Sequence, residues 1–61
     1  MAQITCKELA GLSDLMTVEE NLVVKCKTYA AETTDSVLKN QYEQAAQRHQ
    51  RHFDELYANL K

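Results

Sequence analysis

The stretch Leu38–Leu60, LKNQYEQAAQRHQRHFDELYANL, contains neither glycine nor proline. Nothing in it forces the backbone out of a helix. Its apolar and weakly polar residues fall at Leu38, Tyr42, Ala45, His49, His52 with Phe53, Leu56 and Leu60. Steps of three and four mark one face of a helix. Lys39, Glu43, Gln47, Arg48, Gln50, Arg51, Asp54 and Glu55 occupy the rest of the circumference. The inward face therefore carries two imidazoles, and function beyond folding turns on what His49 and His52 meet.

The rest of the chain supplies their partners. Thr5-Cys6-Lys7-Glu8 has the form of a capping box. It predicts a short helix over about 6–15, edged by Leu9, Leu12 and Leu15 or Met16, with the single glycine, Gly11, inside it. Thr17-Val18-Glu19-Glu20 has the same form and predicts a fresh start, with a second helix over about 18–33. Its inward positions read Glu19, Leu22, Cys26, Tyr29, Ala30 and Thr33. Thr33-Thr34-Asp35-Ser36 suits a cap better than a helix interior, and Asp35 is the expected cap of a third helix over about 36–60. The short connection folds the last two helices into an antiparallel hairpin. The expected fold is all-α: one domain over 1–61, a short N-terminal helix and a long helical hairpin.

At 61 residues the chain is small, and such a domain is marginal on its own. The hairpin faces are wider than one partner helix covers, so pairing of two copies into a four-helix bundle is expected. Two cysteines, Cys6 and Cys26, are too few for a disulfide framework, and Cys26 reads as an ordinary buried thiol. Net charge is −2 with no basic stripe, which argues against nucleic acid as a partner. No apolar run is long enough for a bilayer. The first residues, Met-Ala-Gln-Ile-Thr-Cys-Lys-Glu, lack the pattern of a signal peptide. The expectation is a cytoplasmic protein without a membrane partner.

Folding the hairpin about residues 35–36 pairs Thr33 with Leu38, Tyr29 with Tyr42, Cys26 with Ala45, Leu22 with His49 and Glu19 with His52, each to about one turn. Glu19, His49 and His52 then share one level. Two readings follow. Glu19 and an imidazole form a partly buried hydrogen bond within the packing. Alternatively, a carboxylate and two histidines three residues apart hold a metal ion, with iron, zinc and manganese as candidates. No nucleophile–base pair, phosphate-binding glycine loop or His-Glu-x-x-His is present, so no enzymatic activity and no catalytic residue are expected.

Several motifs resemble the Coat F family, small ferritin-like proteins of endospore-forming bacteria. They are Thr5-x-Lys7-Glu8-Leu9, Leu12-Ser13-Asp14-x-x-Thr17-x-Glu19-Glu20-Asn21-Leu22 and Lys25-x-Lys27-x-Tyr29-Ala30. Asp35-x-x-Leu38-Lys39 and Ala46-Gln47-x-His49-Gln50-x-His52-Phe53-x-x-Leu56 complete the set. The resemblance implies a ferritin-like hairpin, a structural role in the spore coat, and other coat proteins as partners. Set beside a ferritin-like di-iron site, Glu19 or Glu20 resembles the first-helix ligand. His49 resembles the histidine of Glu-x-x-His. Ala46 stands where that motif has its glutamate and cannot ligate. The resemblance thus implies no complete di-iron centre. It leaves a mononuclear site of His49, His52 and a carboxylate.

Overall fold

The Thr5 hydroxyl begins the fold by doing two jobs. It accepts from the Glu8 amide at 3.0 Å and donates to the Glu8 carboxylate at 2.9 Å. This caps helix α1, which runs Cys6–Glu32. The computed structural model describes residues 5–60. The lead over residues 1–4 lies outside them.

The separate helices expected over 6–15 and 18–33 are one continuous helix of 27 residues. Thr17 does not cap a new helix; its hydroxyl donates to the Ser13 carbonyl at 3.1 Å, one turn back. A capping box only permits a start. Residues 13–17 contain nothing that obliges the preceding helix to stop, and continuing it satisfies the backbone internally. The inward positions also pass through the junction in step. Leu12, Met16, Glu19, Val23, Cys26, Ala30 and Thr33 are all half-buried or buried, at alternating spacings of four and three. That is the seam of a two-helix coiled coil.

α1 ends without glycine. Thr33 turns extended, and its N–H still donates to the Tyr29 carbonyl at 3.0 Å. Its hydroxyl accepts from the Asp35 amide at 3.2 Å. Asp35 caps the second helix, as the sequence predicts: Oδ1 accepts from the amides of Val37 at 2.8 Å and Leu38 at 3.1 Å. This helix, α2, spans Ser36–Ala58, and residues 59–60 form a turn. Its inward residues are Tyr42, Ala45, Ala46, His49, Phe53 and Leu56.

The two helices make an antiparallel hairpin with no strand among the described residues. At about 40 and 34 Å, α1 outruns α2, and its first turn projects past the end of the partner. The hairpin is a rod of 47 × 16 × 11 Å, with a radius of gyration of 14.4 Å. A compact domain of this length would have about 10–11 Å. Among the described residues only Val23, Ala30 and Ala46 are buried, and no large side chain is fully enclosed. Among the described residues, no helix is long and apolar enough to cross a membrane.

Candidate functional site

Midway along the rod the seam turns polar. On α1, Glu19 takes the inward position between Met16 and Val23. On α2, His49 takes the position between Ala46 and Phe53, and His52 lies three residues on, one step round the same face. Glu19 Oε2 is 2.9 Å from His49 Nδ1 and 3.4 Å from His52 Nδ1. The two imidazoles stand edge to face, ring centres 5.8 Å apart. Glu19 and His49 are mostly covered, their side chains 17% and 22% exposed, whereas His52 is 47% exposed.

The first contact is a hydrogen bond of full strength. With its proton on Nδ1, His49 donates to the carboxylate. The second separation is longer than the usual N–H···O range. Two nitrogens thus converge on one oxygen that fully engages only one of them. Among the described residues, this is the one set of three or more His, Cys, Asp or Glu side chains whose donor atoms lie within 4.8 Å of one another.

The residues singled out in the sequence therefore meet, with a small shift in level. Counting from residues 35–36 puts His52 opposite Glu19, yet His49 is the nearer. α1 stops at Glu32 and α2 starts at Ser36, so the chain reverses about Thr34. The opposing levels move by less than one turn. Tyr29 and Tyr42 meet as expected, ring centres 5.5 Å apart. Cys6 and Cys26 are both free thiols. They sit 20 residues apart on one helix, about 30 Å along its axis, and cannot bridge within the chain.

Continuity of α1 creates a feature that two separate helices would lack. Leu15, Leu22 and Tyr29 are seven residues apart and line one flank of the seam. Leu38, Ala45 and His52, again seven apart, line α2 on the same side. Leu15, Tyr29 and Leu38 are 56%, 49% and 42% exposed. These six flank positions carry no Asp, Glu, Lys or Arg; one heptad before Leu15 the register falls on Glu8, in the first turn of α1. Across the seam the matching positions are Glu20, Lys27, Glu43 and Gln50. The hairpin thus has a greasy side and a charged side. No family model, curated protein or solved structure matches the chain.

Proposed function

We propose that the protein is a non-enzymatic, self-associating structural module whose hairpins pair through the Leu15–Leu22–Tyr29 flank into a four-helix bundle. The observation that carries this reading is the mismatch between what the hairpin exposes and what it buries. Its accessible surface is 4862 Å². A folded monomer of 7.0 kDa is expected to expose about 4000 Å². The excess, about 800 Å², is what one partner contributes to a standard stable interface.

A second copy is the occupant that fits. An uncharged strip meets an identical uncharged strip across a two-fold axis, and both charged sides stay in water. Its ferritin-like character lies in that paired form. The Coat F resemblance makes the setting a spore coat, in which paired hairpins pack with other coat proteins.

Sedimentation equilibrium at micromolar concentration tests the pairing. The expected mass is twice 7.0 kDa, and the melting temperature should rise with protein concentration. A stably folded monomer with a concentration-independent melting temperature overturns the proposal.

A further inference from the structure

We infer that Glu19, His49 and His52 form a mononuclear site for a divalent transition-metal ion, zinc being the best fit. The ligand atoms are Glu19 Oε2 and the Nδ1 atoms of the two histidines.

Two of the three ligand-atom separations are near what zinc needs, and all three ligand atoms lie within 4.8 Å of one another. With Zn–N and Zn–O bonds of about 2.1 Å and tetrahedral angles, neighbouring ligand atoms stand about 3.4 Å apart. The Glu19–His52 pair is at 3.4 Å and the Glu19–His49 pair at 2.9 Å. The second must open by about half an ångström for the ion to enter, within reach of a side-chain torsion. Hydrogen bonding accounts for His49 but leaves the position of His52 without a full-strength partner at this oxygen. A cation would engage both nitrogens and the carboxylate together.

The donor set decides the metal class. Two imidazoles and one carboxylate suit zinc, whereas magnesium, calcium and manganese favour all-oxygen sets. Three protein ligands leave a fourth position for water or another group. The exposed side of His52 gives the ion its way in. The ligands come from one chain, but His52 lies on the flank through which hairpins pair, so a partner copy would narrow the approach to the ion without removing a ligand.

The experiment uses the full chain stripped with chelator and titrated calorimetrically with Zn²⁺ alone. The mass in solution is followed in parallel. Saturable uptake of one Zn²⁺ per chain is expected. Glu19→Gln, His49→Gln and His52→Gln, each checked for helicity by circular dichroism, should each weaken uptake at least about tenfold. The doubly substituted Cys6→Ser, Cys26→Ser chain should bind like the parent. Co²⁺ at the site should show four-coordinate ligand-field bands without thiolate charge transfer. No saturable uptake at millimolar Zn²⁺ overturns the inference. So does one ion per two chains, uptake that survives all three substitutions, or uptake that disappears with the thiols.

Discussion

Leu15→Gln isolates the pairing flank from the hairpin itself. Leu15 lies on that flank with 56% of its surface exposed. Glutamine has nearly the same helix propensity, so α1 should form as before. Complete burial of a leucine side chain contributes about 1.5–3 kcal/mol. The part still exposed then accounts for about 1–1.5 kcal/mol when a second copy covers it. A two-fold interface counts the loss twice, about 2–3 kcal/mol in all. The dimer dissociation constant should rise about 30- to 150-fold. Sedimentation equilibrium over a concentration series reads this directly, with circular dichroism confirming unchanged helix content. Val24→Gln is the control. Val24 is also highly exposed, at 59%, but lies away from the flank, so its change should leave the constant within a few-fold. Unchanged association in Leu15→Gln, or equal weakening in Val24→Gln, would refute the assignment of the flank.

Three further outcomes follow from the same geometry. Asp35→Ala removes the acceptor for two amides at the start of α2 and should cost about 1–2 kcal/mol; an unchanged urea midpoint would count against that cap. Gly11→Ala should stabilise the chain by about 0.5–1 kcal/mol, because an added Cβ meets no atom within 4 Å. A fall in melting temperature would mean that a second copy packs against Gly11. Joint Glu19→Leu and His49→Leu substitution should leave stability equal or raise it by about 1–2 kcal/mol, while amide NMR spectra show more than one hairpin register. A single peak set would deny the polar pair a role in fixing register.

The parts of the fold legible in the sequence were those set by chemistry that leaves no alternative. Asp35 follows two threonines that suit a helix interior poorly, and the helix after it contains no breaker. The reversal near Asp35 and the long second helix follow from those residues alone. Thr17 carried the opposite lesson. Its capping box competes with continuation of the helix, and only the packed seam decides between them. Met16 and Val23 flank Glu19 in one unbroken spacing, so packing along α2 favours continuation. A break at Thr17 would take Leu15 out of line with Leu22 and Tyr29, so the greasy flank exists only in the continuous helix.

The polar trio was legible for a further reason. A seam whose buried members are Val23, Ala30 and Ala46 discriminates weakly between registers, since small apolar side chains pack tolerably against many neighbours. Slipping the hairpin by one heptad would set Glu19 against Tyr42 or Leu56 in place of His49. The carboxylate would then lose its imidazole donor in a mostly covered position, a loss no alanine or valine contact replaces. Glutamate and histidine on inward faces weaken a hydrophobic seam unless they meet each other. Their positions in the sequence therefore specify how the two helices align, and the alignment that unites Glu19 with His49 also brings up His52.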